Sequence, residues 1–500
     1  MVHTIRELIP RLRRSGYYPK VLIFIALCIA APLLVLPFYP SELREAYAFV
    51  IPSVLCAAAA FAAAYFAKEK PEAEPYEWQS PLQKGSLPVL FAWCASIVGG
   101  ALPFIISGRL DVVHALFESV SGWSTAGLTV VDVEALPRIF LLHRALMQYL
   151  GGLGFIIIFG IVIGGRQMMS MYNAEGHTAG IRTTLRRSSL TIILIYTGCL
   201  VVGTALYRFY EMPIFDAICH AMSALSTAGF STHAASIGYY NSIPIEIITI
   251  LLMLIGSTNF AVLLLIVRLR FKRVAKISEV RFLGWVLLIF IALTMFSLVA
   301  HNEFTLLQGL RHSVFAVFST LSTTGYHLEN YMLWPPFALG LIMLMMILGG
   351  AAGSTAGGIK LVRAYILVRV TKSNILRRVS PSHRVSAMRY GTPQGDEPID
   401  NALVRDTLEF VTVYAAVIFI GTLLLAHFND CTLMEALYEF MSVFSTIGIS
   451  NGLTARATTP TLIIEMLGML LGRLEIFIVF IGAYSAFDKI RDRVTKKSSQ

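Results

Sequence analysis

Charged residues are scarce in this chain of 500 residues, where Asp, Glu, Lys and Arg make up 14%. An ordinary soluble domain has roughly 25%. Hydrophobic residues account for 56% of the chain, and the mean hydropathy is +0.69. This composition excludes a soluble fold and indicates a protein that crosses a membrane several times.

Motifs of enzyme chemistry are also missing. The six cysteines stand singly, with no CxxC spacing, which argues against a disulfide framework or a cysteine metal site. Neither HExxH nor GxSxG occurs, so the common metalloprotease and hydrolase sites are absent from the sequence. We therefore expect no enzyme and no cofactor on this chain.

The stretch GGAAGSTAGGIK, Gly349 to Lys360, resembles a phosphate-binding loop only superficially. Such a loop needs Lys followed by Ser or Thr, whereas here Leu361 follows the lysine and a long apolar run precedes the glycines. Glycine disfavours a helix by about 1 kcal/mol per residue, so we expect the helix to break in this glycine-rich loop. A helix end followed by a cytoplasmic linker is the alternative.

Ten apolar stretches approach the ~20 residues that a bilayer requires. They lie near 21–39, 46–67, 86–106, 138–164, 187–208, 243–268, 282–301, 335–371, 403–427 and 461–487. The first follows a basic leader, and we expect it to be retained as a span. The formal charge of +10 gathers in alternate loops, which predicts cytoplasmic termini and argues against nucleic-acid binding.

A pattern, SxxSTxG, occurs four times. Its copies are SGWSTAG at 121–127, SALSTAG at 223–229, STLSTTG at 319–325 and SVFSTIG at 442–448. Each follows a short apolar stretch of about a dozen residues, which at 1.5 Å per residue is too short to cross a bilayer as a helix. Each stretch must therefore enter the membrane and return.

The repeats predict an all-α polytopic membrane protein, with four units of helix, pore helix and helix around one pore. An extra N-terminal two-helix hairpin precedes them. The predicted divisions are the hairpin at 1–75 and pore repeats at 76–170, 171–275, 276–395 and 396–500. The third repeat contains the glycine-rich loop, and the fourth ends in a basic C-terminus.

The last four residues of each copy, named here the filter segments, are candidates for binding potassium. Irregular backbone at membrane depth is tolerated where it lines a polar cavity, and glycine permits the positive φ that turns carbonyls toward an axis. Carbonyl and hydroxyl oxygens can replace the hydration shell of potassium. Close packing of small residues between helices is the alternative. The filter segments are Ser124, Thr125, Ala126 and Gly127; Ser226, Thr227, Ala228 and Gly229; Ser322, Thr323, Thr324 and Gly325; and Ser445, Thr446, Ile447 and Gly448.

Four further stretches, together with the filter segments, make the chain resemble the TrkH/KtrB potassium transporters. They are RALMQYLGGLGF, GSTNF, GGAAGSTAGGIK and LGRLEIF. The length of the chain resembles that of the TrkH branch. In that family a glycine in every filter segment accompanies potassium selectivity, and a loop beneath the filter acts as a gate together with an arginine. The resemblance assigns the gate to Gly349, Gly350, Gly353, Ser354, Thr355, Gly357, Gly358, Lys360 and Arg473. Arg473 also lies deep within the apolar run 462–484, where an arginine faces either a cavity or a structural partner.

The resemblance implies potassium-selective uptake across the bacterial inner membrane by a homodimer. It also implies a cytoplasmic ring of TrkA-like regulatory subunits, so nucleotide is expected only on that partner. A proton- or sodium-coupled potassium symporter, a sodium or nonselective pore and a membrane enzyme are the alternatives. Glu118 and Glu439 stand nine residues before filter glycines, where they either attract cations or brace the filter.

Overall fold

The computed structural model describes residues 17–66, 81–154, 185–379 and 388–474, together with 476, 479–482 and 484–485. The basic leader, the basic residue Arg182 and the basic C-terminal run lie outside the described residues. The parts of the predicted spans 138–164 and 461–487 that fall in the gaps lie outside them as well.

Helices dominate the described chain. The helices before residue 260 are α1 Tyr17–Ala30, α2 Tyr47–Phe66, α3 Pro81–Ile106, α4 Val112–Trp123, α5 Arg138–Leu153, α6 Leu185–Phe209, α7 Ile214–Leu225 and α8 Ile243–Gly256. Those that follow are α9 Phe260–Val267, α10 Phe271–Val274, α11 Ser278–Ala300, α12 Leu306–Leu321, α13 Pro336–Ile347, α14 Leu361–Val379, α15 Asn401–Phe428, α16 Leu433–Phe444 and α17 Thr459–Arg473. Strands β1 Arg389–Thr392 and β2 Gly395–Pro398 form an antiparallel hairpin between α14 and α15.

Six of the ten predicted spans are confirmed as continuous apolar helices of membrane-crossing length within the described residues. They are Tyr17–Val35, Tyr47–Phe66, Ser86–Ile106, Ser189–Phe209, Ser278–Ala300 and Asn401–Phe428. Each carries 18 or more residues of high hydropathy, which suits a hydrocarbon core of about 30 Å. The chain is therefore an all-α polytopic membrane protein.

The predicted span over 243–268 is interrupted. It forms α8 and α9, which together are apolar enough to cross a membrane but are bent by 113° relative to each other at a short break. The expected break in 335–371 is confirmed, because α13 ends at Ile347 and α14 begins at Leu361. In the last predicted span, α17 ends at Arg473, so the arginine lies at a helix end and not in the middle of a continuous helix.

The chain divides into two compact units. One comprises residues 1–123, 130–195 and 474–500, and the other comprises 124–129 and 196–473. The second unit contains all four filter segments, the glycine-rich loop and Arg473. The candidate site can thus be described within a single unit.

Each filter segment directly follows a short helix, and these four helices are named here the pore helices. They are α4, α7, α12 and α16. Helices α12 and α16 begin with capping boxes, in which Thr305 and Thr432 pair with the residues three positions on. At α4, the Asp111 carboxylate accepts a hydrogen bond from the His114 backbone N–H at 2.8 Å. Three pore helices therefore start at a capping side chain encoded in the sequence.

Candidate functional site

The four filter segments share one backbone conformation. Their threonines have positive φ, and the values for Thr125, Thr227, Thr323 and Thr446 are 58°, 52°, 57° and 54°. Their glycines follow with φ between 82° and 86°. Positive φ is expected for glycine but costs energy for a β-branched residue, so four threonines held this way indicate strain imposed by the surroundings. Positive φ was predicted from the sequence at the four glycines, but nothing in the sequence indicated positive φ at the four threonines.

Each filter segment packs against the next one, and the fourth packs against the first. A Cβ added to any of the four glycines would collide with a backbone oxygen of the neighbouring segment. The colliding pairs are Gly127 with Ala228, Gly229 with Thr324, Gly325 with Ile447, and Gly448 with Ala126. Because the fourth segment returns to the first, the segments form a ring, and the ring has no space for a side chain at its glycines.

The pore helices lead straight into this ring. In the second, third and fourth segments, the third residue donates its backbone N–H to the carbonyl of the first serine of the pattern. These bonds join Ala228 to Ser223 at 3.0 Å, Thr324 to Ser319 at 2.9 Å and Ile447 to Ser442 at 2.9 Å. The C-terminal ends of these three helices, α7, α12 and α16, carry partial negative charge, adjoin the ring and favour a cation there.

The glycine-rich loop is a folded structure between α13 and α14. Gly349 donates its N–H to the Ile359 carbonyl at 2.8 Å, and Ile359 donates to the Ile347 carbonyl at 3.0 Å, so the two ends of the loop are paired. Its middle is buried, with Thr355 1% and Ala356 0% exposed. A break in an apolar helix can be this regular because the freed backbone groups bond within the protein.

Both the ring and Arg473 contact this loop. The Thr355 hydroxyl lies 2.9 Å from the Thr227 hydroxyl, and Gly357 donates its N–H to the Thr323 hydroxyl at 2.9 Å. Arg473 donates from its guanidinium to the Thr355 carbonyl. The structure thus brings the predicted filter residues and the predicted gate residues into direct contact.

The unpredicted break between α8 and α9 is the other support of the loop. Ala351 donates its N–H to the Ser257 carbonyl at 2.9 Å, and the Asn259 side-chain amide donates to the Ala352 carbonyl. Asn259 also caps α9 by accepting from the Ala261 N–H at 2.7 Å, which explains why a new helix begins there. The bonded loop amides are occupied by protein acceptors, in agreement with the argument against a phosphate loop.

Comparison with known proteins assigns this arrangement to a family. The family model named TrkH, described as a cation transport protein, matches residues 53–488. The chain belongs to the TrkH family.

Curated relatives of this TrkH-family chain include two uptake proteins. The Trk system potassium uptake protein TrkG of Escherichia coli (strain K12) is 31% identical over 422 residues, covering 79% of this chain and 84% of that protein. The Trk system potassium uptake protein TrkH of Halomonas elongata is 30% identical over 429 residues, covering 81% and 85%. The crystal structure of the potassium transporter TrkH from Vibrio parahaemolyticus matches with a TM-score of 0.79 at 24% identity, covering 93% of this chain and 96% of that one. That likeness establishes the fold.

The two acidic residues near the filter of this TrkH-family chain are engaged with protein groups. Glu439 accepts hydrogen bonds from the Ser450 hydroxyl at 2.6 Å and the Asn451 N–H at 2.9 Å. Glu118 accepts from Arg144 Nε at 2.6 Å and from the Val130 N–H at 3.2 Å. In both cases the partner segment follows a filter segment in sequence. These contacts favour the bracing interpretation over attraction of cations.

Sequence reasoning missed a second set of glycines, which lie in the helices after the filter segments. A Cβ on Gly151, Gly256 or Gly472 would collide with the carbonyl oxygen of Trp123, Leu225 or Phe444, respectively. Each of these carbonyls immediately precedes a filter segment. A signal was present, because the three glycines follow the filter glycines of their repeats by 24 to 27 residues.

Proposed function

We propose that this chain carries potassium selectively through the ring of filter segments, as an uptake protein of the bacterial inner membrane. The observation that carries the proposal is the closed order of the four filter glycines, each set against a carbonyl of the next segment. Because no side chain fits at the glycines of the ring, backbone carbonyl oxygens can surround a dehydrated cation there without a charged side chain. The names of the relatives, potassium uptake proteins, agree with this cargo.

Selectivity in this proposal comes from carbonyl oxygens held by strained backbone. The positive φ of both Thr and Gly in every segment is the support, since a backbone of this kind can turn carbonyl oxygens toward a common axis. Two threonine hydroxyls, those of Thr125 and Thr446, are buried without a hydrogen-bond partner. A buried hydroxyl of this kind gains stability from an ion or water at the ring.

We further propose that the glycine-rich loop and Arg473 form the gate. The support is that Thr355 bonds to Thr227 of the filter and accepts from Arg473 through its carbonyl. A loop packed on the ring obstructs the path of a cation, and a guanidinium bonded to that loop adds a positive charge that repels the cation. Opening then requires the loop to leave the filter threonines and Arg473 to leave Thr355.

The remaining proposals concern assembly. We propose a homodimer in lipid, with both termini in the cytoplasm and a cytoplasmic ring of TrkA-like regulatory subunits. Nucleotide acts in this proposal through those subunits, and this chain holds only potassium. The concentration of Lys and Arg in alternate loops supports the orientation.

Two measurements test the function. Expression in a bacterium that lacks its own potassium uptake should restore growth on limiting potassium, and failure to do so with normal membrane expression would contradict the proposal. In proteoliposomes, the reversal potential should follow the potassium gradient and not respond to proton or sodium gradients imposed separately. A reversal potential that shifts with either of those gradients would favour the coupled symporter.

A further inference from the structure

A buried carboxylate at the first turn of α11 contacts the glycine-rich loop. Glu279 is 8% exposed, and its Oε1 accepts a hydrogen bond from the Ala352 N–H at 2.9 Å. Glu279 is therefore bonded directly to the backbone of the glycine-rich loop. A buried carboxylate needs such partners, and charge-assisted hydrogen bonds are about twice as strong as neutral ones.

The contact is one of several that fix the same half of the loop. Ala351 bonds to Ser257, and the Gly353 carbonyl accepts from the Phe260 N–H at 3.2 Å. Asn259 donates to the Ala352 carbonyl, so the peptide groups around Ala352 are held on both sides. In these contacts of residues 351–353, Glu279 supplies an ionisable side chain, which binds the Ala352 N–H.

We propose that Glu279 is a positioning residue for the glycine-rich loop and holds it against the filter segments through the Ala352 amide. This inference rests on the proposed function, in which the loop is the gate. While the carboxylate binds Ala352, the loop stays bonded to Thr227 and Thr323 and the path is closed. Release of the carboxylate frees the N-terminal half of the loop while the ring itself remains intact.

The β1–β2 hairpin connects this turn to the outside of the unit. Gly391 donates its N–H to the hydroxyl of Ser278, the residue before Glu279, at 2.9 Å. A Cβ on Gly391 would also collide with the Lys276 carbonyl oxygen, so the hairpin packs directly on the start of α11. Strand β2 is exposed throughout. A partner that pulls on the hairpin would thus move the first turn of α11, and with it Glu279.

The test is basal flux through the purified full chain in proteoliposomes, measured as uptake of rubidium against a potassium gradient. Replacing Glu279 by Gln removes the charge and keeps the shape and an acceptor oxygen, and should raise basal uptake about fivefold, the factor expected when a charge-assisted hydrogen bond becomes a neutral one. The control is Glu303→Gln, an exposed acid just beyond the other end of α11, which should leave uptake unchanged. The potassium-to-sodium permeability ratio should stay native in Glu279→Gln, a readout that general loss of structure would not preserve.

Unchanged or reduced uptake in a Glu279→Gln protein that elutes as the native protein does would overturn the inference. If that variant does not assemble, Glu279→Asp decides, because it retains the charge on a shorter side chain. Uptake above native with a native permeability ratio supports the inference, and native uptake contradicts it. Gly325→Ser and Arg473→Ala in the same preparation separate the two proposals. If they alter selectivity and basal flux while the Glu279 variants do not, only the role of Glu279 fails.

Discussion

The Thr355 side-chain oxygen lies 2.9 Å from that of Thr227 and 2.9 Å from the Gly256 carbonyl oxygen. One residue of the glycine-rich loop is therefore bonded at once to a filter segment and to the break between α8 and α9. The candidate gate residue Arg473 also donates a hydrogen bond to the Thr355 carbonyl. A displacement of the loop at Thr355 must change the environment of the filter.

Replacing Gly325 by Ser should lower discrimination between potassium and sodium by about tenfold. The new Cβ would collide with the Ile447 carbonyl oxygen, and φ of 82° disfavours any L residue by about 1–2 kcal/mol. The ring must widen or distort to accept it. Reversal potentials in paired potassium and sodium solutions measure the ratio. Gly340→Ser is the matched control, because a Cβ on Gly340 of α13 meets nothing within 4 Å. A native ratio in Gly325→Ser would remove the filter assignment.

Replacing Arg473 by Ala should raise basal flux several-fold, because it removes both a positive charge and a donor to the Thr355 carbonyl. Rubidium uptake without regulatory partners is the measurement. Arg456→Ala serves as control, since Arg456 is exposed and lies 3.9 Å from Glu435. If Arg473→Ala expresses normally and its uptake does not rise, Arg473 is not a barrier to the ion.

Replacing Thr355 by Val should also raise basal flux, by a smaller factor than the arginine variant. Valine keeps the shape and the backbone bonds but loses the hydroxyl contacts with Thr227 and Gly256, each a neutral bond worth about 1 kcal/mol. The exposed helical Thr412 gives the control substitution to Val. Flux equal to that of the control protein would mean that the hydroxyl does not restrain the loop.

Replacing Arg144 by Met should destabilise the protein by about 3–5 kcal/mol, because the Glu118 carboxylate is left buried without its cation. The pair is 2.6 Å apart, and its side chains are 2% and 0% exposed. Arg109→Met breaks an ion pair of the same length with Glu45, whose side chains are 31% and 22% exposed, and should cost less than about 1 kcal/mol. Thermal unfolding in detergent compares the two variants. Equal decreases in melting temperature would show that burial does not determine how much an ion pair contributes to stability.

Fourfold repetition made the filter segments predictable, since a pattern that recurs with a short helix before it constrains both topology and position. The break at the glycine-rich loop was predictable too, because glycine weakens a helix whatever surrounds it. The break at Gly256 to Asn259 was not, because it lies within an apolar run and depends on partners in the loop almost a hundred residues later. Tertiary contacts there override local preference.

The threonine conformations show the same limit. Local preference opposes positive φ in Thr125 and its three counterparts, so only the assembled ring explains it. The end of α17 at Arg473 is another feature that hydropathy does not show. The apolar run continues past this residue, whereas the helix ends there.

Anomalous diffraction from crystals grown in rubidium can show whether the four filter segments encircle a dehydrated alkali cation. We expect an anomalous peak on the axis of the ring, within coordination distance of oxygens from all four filter segments. A ring without rubidium, or rubidium bound only by residues outside the filter segments, would mean that the filter segments do not bind the ion.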